Sequence, residues 1–205
     1  MGIEKVYLIP LYPQYSSTTT QSSLDDFEAT AHRIGWNAIM SEIKHFFADP
    51  NYNRCVLERI KEAIGDAKSE EFDLVFSAHG LPQKIVDEGD PYQRHVIAHV
   101  EILKSLMQEE GIAFNAIHLA YQSKVGPMKW LEPSLETMLR SISSKKVLIF
   151  PIAFTIDNSE TDYELSMEYA EIAHELGYRD YRVCLCPNDH SLFVKTLSEL
   201  YTKMK

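Results

Sequence analysis

The chain has 205 residues and carries 20 Lys and Arg against 30 Asp and Glu, a formal net charge of −10 at pH 7. Hydrophobic residues make up 45% and charged residues 24%, an ordinary balance for a globular domain with a buried core. The acidity argues against a nucleic-acid partner, because phosphate backbones are held by clustered Lys and Arg, and no apolar run reaches the length that spans a bilayer.

Apolar runs of strand length alternate with stretches of helical periodicity. Strands are predicted at residues 5–11, 38–44, 72–77, 115–120, 146–151 and 182–186, and helices at 22–35, 52–67, 91–110, 132–142, 158–176 and 190–201. Pro91 suits a first helical turn, and Gly111 and Gly177 suit helix ends. This alternation predicts an α/β fold with a mostly parallel sheet covered on both faces. The first residues, Met1-Gly2-Ile3-Glu4-Lys5, lack the basic flank and apolar core of a signal peptide. Cys55, Cys184 and Cys186 make no disulfide framework, so a reducing, cytoplasmic setting is expected. Cys184 and Cys186 flank Leu185, and strand alternation puts both on one buried face.

After the first strand comes Tyr12-Pro13-Gln14-Tyr15-Ser16-Ser17-Thr18-Thr19-Thr20, a hydroxyl-rich loop that suits either helix capping or ligand binding. The apolar run Leu74-Val75-Phe76-Ser77-Ala78 then stops at His79, followed by Gly80, Leu81 and Pro82. Ligands meet open α/β sheets at the carboxyl ends of strands, and a neutral imidazole there can take a proton or bind a divalent metal. A hydrogen-bonded structural histidine is the plainer alternative. His95 and His99 lie four apart on one predicted helix, but with no evident third ligand they read as solvated or packed residues.

A third strand end carries Tyr121-Gln122-Ser123-Lys124-Val125-Gly126-Pro127-Met128-Lys129-Trp130. Trp130 reads either as a packing anchor or as one wall of a flat apolar pocket. The last segment begins Asp157-Asn158-Ser159-Glu160, with Asp157 or Asn158 as helix cap. At about 100° per residue, Glu160, Glu164, Glu168, Glu171 and Glu175 fall within an arc of roughly 80°. Stacked carboxylates repel, and beyond the first turn the helix dipole gives them nothing. A bound cation or a proton-accepting role would offset that repulsion, while a solvated acidic face is the simpler account. No phosphate-binding glycine motif is present, and neither Ser77 nor Ser123 sits in a nucleophile elbow.

Four segments resemble ferrochelatases, which insert ferrous iron into protoporphyrin IX to make haem. They are Leu11-Tyr12-Pro13-Gln14-Tyr15-Ser16, Phe76-Ser77-Ala78-His79-Gly80-Leu81-Pro82, Tyr121-Gln122-Ser123-Lys124-Val125-Gly126-Pro127, and Ser159-Glu160-Thr161 with Tyr163-Glu164-Leu165. The resemblance implies a chelatase-like three-layer αβα, Rossmann-like domain. It sets His79 and Glu160 on either side of the porphyrin at the metal-insertion site. It implies that Glu164 and Glu168 lead away from that site, with Asp157 ahead of them as a further acidic ligand. Tyr12, Tyr15, Gln122, Ser123 and Trp130 would belong to the porphyrin pocket.

The resemblance further implies Fe2+ and protoporphyrin as substrates with no resident cofactor, and leaves open a peripheral contact with the inner membrane. Asn158 departs from the family's frequent histidine, and with no Cys-rich stretch after Tyr201 an iron–sulfur cluster is not expected. The chain matches the later part of such enzymes. Residues 1–36 are therefore expected to be a remnant of a first domain, with 37–205 the second domain and its C-terminal helix, and the missing domain a partner. Weakened or absent catalysis follows. The competing readings are a tetrapyrrole- or metal-binding half-domain without turnover, and a related chelatase for another metal or tetrapyrrole.

Overall fold

A computed structural model describes residues 3–124 and 126–205; Met1, Gly2 and Val125 of the Gln-Ser-Lys-Val-Gly-Pro motif lie outside them. The strands are β1 (Lys5–Leu8), β2 (Ile39–Glu42), β3 (Asp73–His79), β4 (Ala116–Gln122), β5 (Lys146–Pro151) and β6 (Asp180–Val183). The helices are α1 (Ser22–Arg33), α2 (Pro50–Ile64), α3 (Gln83–Asp87), α4 (Tyr92–Glu109), α5 (Leu135–Ser141), α6 (Tyr169–Glu175) and α7 (Ser191–Met204). All pairings between these strands are parallel, β1 with β2 in one sheet and β4-β3-β5-β6 in the other. The expected boundary at 36/37 thus falls between two strands that pair with each other.

The four-stranded sheet is covered on both faces, which is why β3 and β5 read as unbroken apolar runs. Leu74, Phe76, Leu148 and Phe150 pack with Tyr52, Val56 and Ile60 of α2, Leu103 of α4 and Phe193 of α7. Val75, Val147 and Ile149 face the other way, onto Leu135 and Leu139 of α5 and Leu165. The fold is therefore the expected αβα sandwich. From β3 the chain crosses to β4, then returns to β5 on the other side of β3. The two crossover helices, α4 and α5, lie on opposite faces. That reversal opens a crevice outside the carboxyl ends of β3 and β5.

Several boundaries differ from the sequence reading. β1 stops at Leu8, short of Pro10, which has no N–H to offer a ladder. β3 and β4 run two residues further than predicted because the pairing continues to His79 opposite Gln122. The Gly80 N–H then donates to the Gln122 carbonyl at 2.9 Å. β6 ends at Val183, but Cys184 and Cys186 are buried and Leu185 is 55% exposed, so the alternation persists. α3 is too short to show a period. The stretch 158–176 is not one α-helix: Glu160–Glu168 is π-helical and only Tyr169–Glu175 is α.

The hydroxyl-rich loop folds onto α4. Gln14, 2% exposed, places Nε2 2.9 Å from His99 Nδ1 and donates to the Ile152 carbonyl at 3.0 Å. Ser16 caps a short π-helical turn, Ser17–Gln21. Asp90 accepts from Ser16 Oγ, Ser17 N and Ser17 Oγ at 3.0, 2.6 and 2.6 Å. His95 Nδ1 accepts from Tyr15 N at 3.3 Å, so both α4 histidines pack the loop in place. Among the described residues no helix is long and apolar enough to cross a membrane.

Two outcomes follow for stability. A Cβ on Gly80 would meet the Gln122 carbonyl oxygen at 2.7 Å. Gly80→Ala is expected to cost about 1–3 kcal/mol in urea unfolding. Burial pushes His99 down to about 3, from 6.5, so between those values the unfolded chain binds the proton and the native chain does not. Stability therefore falls as pH drops through that window. His99→Gln flattens this limb in unfolding titrations, while costing stability near neutral pH.

Candidate active site

His79 ends β3 in the crevice, and Glu160 opens the π-helix that follows β5. His79 Nδ1 lies 2.8 Å from Glu160 Oε2. An ionised carboxylate only accepts, so in the neutral imidazole the N–H sits on Nδ1 and Nε2 carries the bare lone pair. Both side chains are open, 39% and 42% exposed. The Tyr92 hydroxyl donates to the His79 carbonyl at 2.9 Å. Phe154 stands edge-on to the imidazole, ring centroids 6.3 Å apart.

The turn before Glu160 is built by Asn158, whose Oδ1 accepts from the Glu160 N–H at 2.8 Å and whose N–H donates to Thr161 Oγ1 at 2.9 Å. From there the helix closes its turns at i+5, so each turn carries more than the 3.6 residues assumed from sequence. All five glutamates nonetheless line one groove, running from His79 past Glu160, Glu164 and Glu168 to Glu171 and Glu175, of about 930 Å3. Among the described residues no hydrogen bond or salt bridge holds the Glu168, Glu171 or Glu175 side chains.

Glu164 is anchored. Ser123, after β4, adopts φ +62°, a left-handed conformation that costs a non-glycine residue about 1–2 kcal/mol. In that conformation its N–H donates to Glu164 Oε1 at 2.8 Å and its Oγ to Oε2 at 2.6 Å. The same Oγ is 3.3 Å from Glu160 Oε2. Glu160 and Glu164 are thus bridged by one hydroxyl.

A second cavity, about 270 Å3, shares His79 and Glu160 with the acidic groove and is closed by Tyr12, Tyr92 and Phe154. A third, about 490 Å3 and largely apolar, continues from Tyr12 and Phe154 to Leu8, Leu24 and Phe27. The pair therefore stands where an apolar space meets an acidic one.

The residues expected at the site divide as follows. Tyr12, Ser123, Trp130, Glu164 and Glu168 lie with His79 and Glu160 along these spaces. Trp130 is held there by backbone pairing, with an isolated bridge to Pro82 and the Leu131 N–H donating to Leu81 O at 2.9 Å. Tyr15 faces elsewhere, its hydroxyl donating to Gln21 Oε1 at 2.8 Å. Gln122 is 1% exposed and points inward. Asp157 does not line the groove: it accepts from Asn188 Nδ2 at 2.5 Å and the Cys186 N–H at 3.0 Å. Burial opposes its ionisation, but these hydrogen bonds prevail and hold the carboxyl below its usual range. Tyr92 and Phe154 were not singled out from sequence. Tyr92 begins a helix after Asp90-Pro91, which signals a cap rather than a site.

A family model described as Ferrochelatase matches residues 1–205. The chain belongs to the ferrochelatase family. A ferrochelatase of Sulfurimonas denitrificans is 63% identical over 204 residues, covering 100% of this chain and 65% of that protein. Those of Wolinella succinogenes and of Helicobacter pylori strain J99 are 50% and 46% identical, over 98% and 99% of this chain and 64% and 61% of theirs. The chain thus spans a little under two thirds of these ferrochelatases.

Among solved structures, SirB from Bacillus subtilis with Fe3+ superposes with a TM-score of 0.62 at 15% identity, over 97% of this chain and 72% of that one. DR2241 from Deinococcus radiodurans, a multi-domain protein with structural similarity to chelatases, gives 0.60 at 10% identity, over 100% and 42%. These two likenesses establish the fold.

Carboxylate crowding along the groove has a measurable cost. Replacing Glu168, Glu171 and Glu175 together by Gln is expected to stabilise the chain by about 1 kcal/mol at low salt, from relief of i, i+3 and i, i+4 repulsion. The gain should shrink in concentrated salt, as chemical denaturation at two ionic strengths would show.

Proposed function

We propose that this chain carries the metal-inserting site of a ferrochelatase, placing ferrous iron in protoporphyrin IX for haem biosynthesis. The observation that carries the reading is the position of the His79–Glu160 pair, with an apolar cavity on one side and a carboxylate-lined groove on the other. A flat macrocycle has the apolar space to enter, edged by Tyr12, Phe154 and Tyr92. A hydrated divalent cation has the groove, whose carboxylate oxygens replace its water ligands in steps.

Insertion releases two pyrrole protons. The bare Nε2 of His79 is the group that takes one, while Glu160 on Nδ1 fixes the ring and faces the positive charge that results. The remaining carboxylates give the other proton an outlet and hold the incoming metal. A pocket that holds the macrocycle distorted, with its pyrrole lone pairs turned toward the metal, would lower the barrier further. The reading carries with it a cytoplasmic setting, peripheral to the inner membrane, with iron as substrate rather than resident cofactor.

The test is loss of porphyrin fluorescence on adding Fe2+ under anaerobic conditions, for the wild-type chain beside His79→Ala and Glu160→Gln. Each substitution is expected to slow insertion about 10^2-fold or more with thermal midpoints little changed. Insertion that survives His79→Ala overturns the assignment. Porphyrin binding without insertion in the wild type would favour a binding module, a reading consistent with the chain's span of 65% of its S. denitrificans relative.

A further inference from the structure

Gln122 ends β4, yet its side chain does not line either cavity that meets at His79. It is 1% exposed and sits between the strand that carries the histidine and the helix that carries the carboxylates. Ser77, wholly buried and on the same face of β3 as His79, donates from Oγ to Gln122 Oε1 at 2.8 Å. That contact commits the amide oxygen, so Nε2 and both its N–H groups turn toward the π-helix. They meet the Glu160 carbonyl oxygen at 3.3 Å and Glu164 Oε2 at 3.3 Å.

We propose that Gln122 is a positioning residue. Oriented by Ser77, it sets the first turn of the π-helix and the Glu164 carboxylate at a fixed distance from His79, and it touches neither substrate. This rests on the chelatase reading of the groove. Without the amide, Glu164 keeps, among the described residues, the two hydrogen bonds from Ser123 with its strained backbone. Removing a donor that serves a carbonyl and a carboxylate at once costs both acceptors a fixed partner, and Glu164, which lines the open groove, is then free to turn toward water. The expected effect falls on the cation, since outer partners of metal-handling carboxylates typically alter affinity 10–100-fold.

Two variants separate positioning from folding. Gln122→Met removes the amide. Gln122→Glu keeps its volume and the contact with Ser77 but replaces the N–H donors by a third carboxylate. In steady-state insertion, both are expected to raise KM for Fe2+ about 10-fold, leaving kcat and KM for porphyrin within about twofold. In a Glu164→Gln background Gln122→Met should add less than about twofold, because the two residues act as one unit. A full additive loss, a change confined to porphyrin KM, or a Gln122→Glu variant with wild-type metal KM would each overturn the proposal.

If the wild-type chain inserts no metal, the chelatase reading fails separately. The same cycle is then read from Zn2+ affinity by calorimetry, and, where Zn2+ does not bind, from a crystal structure of Gln122→Met. A Glu164 carboxylate displaced from Ser123 supports positioning, and an unmoved one overturns it.

Discussion

The 2.8 Å hydrogen bond between His79 Nδ1 and Glu160 Oε2 joins the end of one central strand to the helix that leaves its neighbour, and the site depends on it. It exists because the sheet reverses direction of winding at β3, so the segments after β3 and β5 are presented to a common crevice. Local details serve that junction. Gly80 lets β3 and β4 stay together to their last residues, where a side chain would strike the Gln122 carbonyl. Tyr92 holds the His79 backbone, and Asn158 starts the helix with Glu160 facing the imidazole. The consequence is chemical: the neutral ring is held in one tautomer, with Nε2 bare.

Around that junction the protein accepts local costs that a purely structural region would avoid. Ser123 sits at positive φ so that its N–H and hydroxyl both reach Glu164. Beyond it, Glu168, Glu171 and Glu175 line the groove, and among the described residues no salt bridge neutralises them. Strain and like-charge crowding of this kind persist where function selects them. The π-helical closure widens the turn while keeping the glutamates along the groove. It also leaves Leu165 buried in the core behind them.

Much of this was legible in the sequence, and for identifiable reasons. The parallel sheet followed from unbroken apolar runs such as residues 146–151, and His79 stood out by ending one. Glu160 and its successors stood out by spacing. What failed to show was what depends on contacts distant in sequence. The π-helix has no compositional signature distinct from an α-helix. Gln122 lies next to Ser123 in a motif, yet one turns inward and the other lines the groove, a difference fixed by Ser77 45 residues away. Asp157 shares its acidity with Glu160 but is engaged by Asn188 and Cys186, 31 and 29 residues on. Tyr15 and Tyr12 look alike in the loop, and only the docking onto α4 decides which one reaches the cavity.

The central claim is that Glu160 holds His79 with Nδ1 protonated and Nε2 bare. Long-range nitrogen–proton correlation spectra of the imidazole, recorded on 15N-labelled protein at mildly alkaline pH, read the tautomer directly. The account predicts Nδ1–H, with Nε2 at the shift of an unprotonated ring nitrogen, and loss of that preference in Glu160→Ala, which leaves no acceptor at that position. An Nε2–H tautomer in the wild-type chain, or a tautomer unmoved when Glu160 is replaced, would contradict it.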